Sequence, residues 1–248
     1  MQFSERYARQ IVIDGFGSIK QKKLAKGRVL VVGLGGLGNP AAQYLAAAGI
    51  GTIGLIDDDV ITASNFNRQF LYYPQDLDKL KVQVAQEKLS RFNPKIKIRA
   101  FNLRLHGDLA SDIFEQFDIV LDCLDNLEAR ILVNQACVNA GIPLVHGGVI
   151  RFYGQLTTII PFKGPCLRCF APGSMLDSNV EEMGIIGPAP GVIGVLQAME
   201  AVKYLSGAGE GLVGRLLVFD GLQGAFEEVQ IERNPRCPVC GSHNNLNM

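Results

Sequence analysis

The chain has 248 residues, room for one large domain or two small ones, and 48% of them are hydrophobic, enough for a sizeable core. Its 24 basic and 24 acidic side chains balance, which argues against broad affinity for nucleic acid or membrane surfaces. Met1-Gln2-Phe3-Ser4-Glu5-Arg6 is too polar for a signal peptide and no apolar run reaches the roughly 18 residues of a membrane span, so the expectation is a cytoplasmic protein with neither partner.

In chain order, Ser18 to Lys26 reads as a short basic helix leading into a strand, Arg28 to Val32. A glycine-rich run follows, then a helix from Ala41 to Ala48 that Gly49 ends. A second strand, Thr52 to Ile56, runs into Asp57. A helix from about Lys79 to Phe92 stops at Asn93-Pro94, because a proline pushes the residue before it out of helical geometry. Lys95 to Phe101 alternates as a strand, and Asp118 to Asp122 is a continuous apolar strand of the kind buried on both faces. Leu127 to Ala140 is helical and Pro143 to His146 a short strand. This alternation predicts an α/β fold with a doubly wound, mostly parallel, Rossmann-like sheet.

Beyond it, Val149 to Arg151 and Gln155 to Pro161 read as antiparallel strands. Pro165 to Pro190 carries Gly, Pro, Asn and Ser with little periodicity, a stretch more often functional than idle. Pro190 suits the first turn of an apolar helix, Gly191 to Leu205, and two strands, Arg215 to Phe219 and Phe226 to Glu232, lead to Cys237. We expect one domain: a nucleotide-binding half over 1–146, then an antiparallel extension, a flexible loop and a metal clip over 147–248.

Two Cys-x-x-Cys pairs, Cys166/Cys169 and Cys237/Cys240, have the spacing of a four-thiolate zinc site. In a reducing compartment the six cysteines divide into these ligands and two buried thiols, Cys123 and Cys137; disulfide pairing of the four is the lesser alternative. Gly33-x-Gly35-Gly36-x-Gly38, between strand and helix, fits a dinucleotide fingerprint in which bare backbone N–H groups reach phosphate at a helix N-terminus. Asp57, about 20 residues beyond Gly38, is placed to accept from ribose hydroxyls. A tight structural turn would share the glycines, and the fingerprint alone does not separate NAD from ATP. The later segments favour ATP. With the first and fourth strands adjacent, Asp125 falls beside the glycine loop, where a carboxylate suits Mg²⁺ bridging phosphates and hydride transfer has no use for one. Arg68 and Lys81 alone would read as solvated surface cations; their value is their position after the second strand and at the next helix.

Taken together, the residues resemble the ubiquitin-activating-enzyme-like adenylyltransferases, the MoeB/ThiF family, over nearly the whole chain. The matching stretches are Arg6-Tyr7-Ala8-Arg9-Gln10, Gly33 to Gly38, Asp57-Asp58-Asp59, Ser64-Asn65-Phe66-Asn67-Arg68-Gln69, Lys81, Asp122-Cys123-Leu124-Asp125-Asn126 and the four cysteines. The molybdopterin-synthase adenylyltransferase branch matches best, through Arg151, although a strand-surface cation would look the same. The resemblance implies ATP-dependent adenylation of the C-terminal glycine of a small ubiquitin-like sulfur carrier ending in Gly-Gly, in molybdopterin or thiamine-type pathways, with release of pyrophosphate. It implies ATP contacts from Gly33, Gly35, Gly36, Gly38, Asp57, Asp59, Asn65, Gln69 and Asn126. Arg68 and Lys81 would supply positive charge at the reacting phosphate, Asp125 would hold Mg²⁺, and the zinc would be structural. Arg9 is similar to the family arginine that reaches into the neighbouring subunit's site, which implies a homodimer.

Two positions depart from the family pattern. Where many relatives carry a reactive cysteine, this chain has Val180, so no thioester or acyl-disulfide step is expected on that loop. His146 stands where a small Ser, Thr or Ala is usual; it is either a satisfied histidine at the rim or a contact to an altered substrate near the carboxylate. The chain ends at Met248, soon after Cys240, so sulfur is expected from a separate sulfurtransferase. Competing readings are adenylation of a small-molecule or peptide carboxylate, an NAD-dependent oxidoreductase, and a non-catalytic scaffold. Against the oxidoreductase, none of the six tyrosines has a lysine four residues on; against the scaffold, Arg9, Arg68, Lys81 and Asp125 are intact.

Overall fold

The computed structural model describes residues 5–105, 112–171 and 184–241. One sheet carries the described strands in the order β3-β2-β1-β4-β5-β6-β7-β8. β1 (Arg28–Val32), β2 (Thr52–Ile56), β3 (Lys97–Phe101), β4 (Ile119–Asp122) and β5 (Leu144–Ile150) are parallel. β6 (Tyr153–Ile159), β7 (Arg215–Asp220) and β8 (Ala225–Gln230) continue the sheet antiparallel. The doubly wound sheet with an antiparallel continuation is thus as expected.

The apolar strands sort their side chains by parity. Val29, Val31, Leu121 and Val145 face a core roofed by α3 (Gly38–Ala48), α4 (Lys81–Phe92) and a long helix, Pro188–Ser206. Leu30, Val32, Val120 and Leu144 face a second core under the helix Leu127–Asn139, with the fully buried Phe114 beside it. Covering both faces is what lets β1 and β4 be apolar without alternation. In chain order, α1 is Ala8–Ile11, α2 Gly17–Leu24, α5 Leu127–Asn139, α6 the single turn Leu167–Phe170, and α7 Pro188–Ser206.

Most boundaries shift by one or two residues from the sequence expectation, and three of the differences have a physical reason in the packing. α3 starts at Gly38 rather than Ala41, because the glycine loop runs directly into the helix. α7 starts at Pro188, so two prolines fall in its first turn, where no intrahelical N–H partner is needed. The two strands read as Pro143–His146 and Val149–Arg151 are one, β5, passing straight through Gly147-Gly148. Those glycines make room for neighbours instead of breaking the strand. A Cβ on Gly147 would lie 2.6 Å from the Gln197 side chain, and one on Gly148 2.9 Å from Arg130.

The N-terminal segment is tied far from the strand ends. Asn93, buried after α4, donates to the Tyr7 hydroxyl at 2.9 Å and the Ala46 carbonyl at 2.8 Å. Gln10 donates to the Ala48 carbonyl at 3.2 Å. Arg9 therefore sits near the C-terminal end of α3, about 15 Å of helix away from the glycine loop.

Candidate active site

Where the strand order reverses between β1 and β4, their carboxyl ends open onto a cleft of about 610 Å³. The glycine loop forms its floor. Gly33 adopts φ +90°, open to glycine and strained for other residues, and a Cβ there would lie 2.7 Å from the Cys123 carbonyl oxygen. Gly38 is buried below the cleft rather than lining it, and its Cβ would fall 1.9 Å from the Gly33 carbonyl oxygen. Gly38→Ala is accordingly expected to cost at least about 2 kcal/mol of stability and to remove nucleotide binding together. Urea denaturation and calorimetric titration with ATP check both halves.

Asp57, at the end of β2, accepts from the backbone N–H of Leu34 at 2.7 Å and of Asp59 at 2.9 Å. Burial pushes its pKa up, against the pull of the Lys81 charge and those two N–H donors. It fixes the loop and still faces the cleft. Lys81 opens α4, is only 5% exposed, and its Nζ lies 2.6 Å from Asp59 Oδ2. Arg68 donates from Nη1 to the Ser64 carbonyl and to Asn67 Oδ1, each at 2.9 Å. Asn65 and Gln69 line the same wall. Gln69 is 2% exposed, and its Oε1 has no partner among the described residues. A buried, unpaired acceptor in a cleft wall fits a donor brought by a ligand, such as an adenine amino group.

On the β4 side Asp125 is exposed in the cleft, and Asn126 caps α5, its Oδ1 accepting from the Ala129 N–H at 2.8 Å. The structure thus gathers Gly33, Gly35, Gly36, Asp57, Asp59, Asn65, Arg68, Gln69, Lys81, Asp125 and Asn126 around one space. Arg9 is not among them. Two cleft cations were not singled out from the sequence, Arg104 and Arg130. Arg130 lies one helical turn beyond Asn126 and donates to the Leu124 carbonyl; that i to i+4 spacing was the signal available. Arg104 follows β3 and carried no motif.

His146 is satisfied by partners but not at the rim: it is 1% exposed and does not line the cleft. Its Nδ1 pairs with Asp122 Oδ2 at 2.7 Å and its Nε2 with Gln155 Nε2 at 3.3 Å. Gln155 Nε2 can only donate, so His146 Nε2 accepts and the Nδ1 proton is the one shared with Asp122, while burial lowers the ring's pKa more than Asp122 raises it. Val180 and most of the Ala171–Pro188 segment lie outside the described residues.

The four expected metal thiols converge away from the cleft. Cys166 Sγ is 3.6 Å from Cys237 Sγ and 4.0 Å from Cys169 Sγ, and Cys169 and Cys240 are 3.4 Å apart. A tetrahedron with Zn–S bonds of about 2.3 Å has sulfur–sulfur edges of about 3.8 Å. The spacing fits zinc. Burial pushes the Cys166 and Cys169 thiols up, Cys169 to about 11. At Cys237 burial is outweighed by backbone hydrogen bonds from Cys240 and Val239, and the thiol is pulled down. Cys123 and Cys137 are buried singly and pushed well above the usual thiol value by burial, as expected of core thiols.

Residues 7–239 match the ThiF family. The chain belongs to it. This ThiF-family member is 43% identical over 241 residues to the sulfur carrier protein ThiS adenylyltransferase of Escherichia coli K12, covering 96% of each chain. It is 41% identical to the sulfur carrier protein adenylyltransferase of Thermus thermophilus, over 96% of this chain and 90% of that one. It is 43% identical to the mouse adenylyltransferase and sulfurtransferase MOCS3, over 95% of this chain and 52% of that one. Among solved structures, E. coli MccB with ATP superposes at a TM-score of 0.83 with 26% identity, over 96% of this chain and 74% of that one. The ThiF-family chain is therefore an adenylyltransferase, and the oxidoreductase and scaffold readings fall away.

Proposed function

We propose that this ThiF-family chain uses ATP to adenylate the C-terminal glycine of a small ubiquitin-like sulfur carrier, releasing pyrophosphate. The observation that carries the reading is one cleft holding Asp57, Lys81, Arg68 and Asp125 around a bare glycine loop, in a chain whose relatives are named for sulfur carriers. In this reading the ribose rests on Asp57 and the phosphates lie along Gly33 to Gly36. A carboxylate oxygen of the carrier attacks the α-phosphorus, the bond to the bridging oxygen breaks, and pyrophosphate leaves with the negative charge. No protein nucleophile and no proton transfer is needed, so catalysis is placement of positive charge. Lys81 exchanges Asp59 for a phosphate oxygen, which keeps the buried ammonium paired throughout. Arg68, held by two acceptors, presents its remaining N–H groups. The exposed carboxylate of Asp125 is a suitable ligand for a Mg²⁺ that retains several waters, and that ion would neutralise charge on the phosphates.

Arg9 lies too far along α3 to serve its own cleft, which supports a homodimer in which it serves the other's. We assign structural zinc to the four cysteines, one ThiF-type domain to the whole chain, and a cytoplasmic setting. No helix among the described residues is long and apolar enough to cross a membrane. Sulfur would come from a separate sulfurtransferase, since the one thiol lining the cleft among the described residues, Cys123, is buried and held protonated. ATP–pyrophosphate exchange with Mg²⁺ and a panel of Gly-Gly-terminated carriers tests this reading. Exchange that depends on one carrier is expected. No exchange with any carrier, despite ATP binding, would transfer the assignment to a small-molecule or peptide carboxylate.

A further inference from the structure

Asp125 hangs from a strand end that is gripped on both faces of the sheet. Asp122, the last residue of β4, is 0% exposed. Its Oδ1 accepts from the Leu124 N–H at 3.1 Å, and its Oδ2 accepts from His146, directly across on β5 in the strand register. His146 is braced in turn by Gln155 of β6 at 3.3 Å. From the opposite face Gln197 of α7, fully buried, donates to the Asp122 carbonyl at 2.7 Å and to the Val145 carbonyl at 3.2 Å. Arg130 takes the Leu124 carbonyl. Both backbone polar groups of Leu124 are thus held by side chains, and the next residue presents its carboxylate to the cleft.

A buried, hydrogen-bonded acid–histidine pair often adds nothing to stability over an apolar pair of the same volume. Packing alone does not call for it. What the pair does hold is the one turn from which Asp125 projects. We propose that Asp122 and His146 are positioning residues for Asp125, fixing the Leu124–Asp125 turn so that its carboxylate meets the Mg²⁺ of Mg-ATP. They stand to Asp125 as outer partners stand to a metal ligand, setting its orientation without touching the ion. This inference rests on the assignment of Asp125 to Mg²⁺ and adds residues that do not line the cleft.

The test is calorimetric titration of the full chain with the non-hydrolysable analogue AMPCPP across a range of Mg²⁺ concentrations, and with AMP in the absence of metal. His146→Leu keeps bulk and removes the donor; His146→Asn returns an N–H near the position of Nδ1. His146→Leu is expected to raise the Mg²⁺ concentration for half-maximal AMPCPP binding about tenfold or more, with AMP affinity held within about twofold. His146→Asn should recover most of that loss. An unchanged Mg²⁺ requirement in His146→Leu, or an equal loss of AMP affinity, overturns the proposal, the second because it marks general loosening. Should His146→Leu fail to fold, the isosteric Asp122→Asn carries the same expectation and the same refutations. Wild-type binding that ignores Mg²⁺ would instead sink the Asp125 assignment itself, and this inference with it.

Discussion

Asp125→Ala is expected to reduce ATP–pyrophosphate exchange by about 10³-fold, the scale of losing a group that stabilises developing charge. The melting temperature should stay within about 2 °C, because a surface substitution of this kind moves stability by only about 0.5 kcal/mol. The asymmetry comes from the surroundings. Asp125 is exposed, and its contact to Asn126 Nδ2 is long, at 3.5 Å, while the cap of α5 belongs to Asn126 Oδ1 and survives the change. Lys81→Ala would be a poorer experiment. It strips the partner from Asp59 and removes the positive charge that offsets the burial of Asp57, so lost activity and lost stability would arrive together. Exchange assays and calorimetric melting of Asp125→Ala and Asp125→Asn, side by side, separate the two. Full activity in the alanine variant would refute the assignment to Mg²⁺.

The parallel half of the fold was legible because its strands, buried on both faces, are short apolar runs separated by helices. The alternation gave the sheet class; the meeting of Asp57, Asp125 and the glycine loop rested on assuming the usual order with the first and fourth strands adjacent, which the structure has. What stayed hidden depended on contacts between distant residues. Gly147-Gly148 looks like a strand break until Gln197 and Arg130 occupy the space their missing side chains leave. The four-residue α1 has too few turns for a periodic signal; it is held by Gln10 and by Tyr7, whose partner Asn93 is 86 residues away. His146 is the sharpest case. Its strand-end position was visible, but whether the ring turns up to a ligand or down into the core depends on Asp122 across the strand pair and on Gln155 of β6.

Cys169→Ser is expected to abolish zinc binding, one ion per chain, and to lower the melting temperature by roughly 10 °C or more, since each kcal/mol moves a chain of this size by about 2–4 °C. Cys169 is the half-buried member of the four, so oxygen for sulfur perturbs packing least there and the effect reports the metal. The loss should be large because the clip closes the second core. Cys166, Leu167, Cys237, Val239 and Cys240 belong to the same buried cluster as Phe114 and Val133. They join residues 166–169 to 237–240, segments about 70 residues apart that carry little regular structure of their own. The Asn234 N–H points at Cys169 Sγ at 3.4 Å, and Arg233 grips the Cys240 carbonyl and reaches the Phe162 carbonyl at 3.4 Å, so the loop around the four sulfurs is fixed by contacts outside the thiols themselves. None of the four lines the cleft. Exchange activity measured well below the variant's melting point should therefore survive. Zinc assay, thermal melting and exchange on one preparation decide it. Unchanged melting with zinc retained would refute the four-thiolate site, and loss of activity at full fold would make the metal catalytic instead of structural.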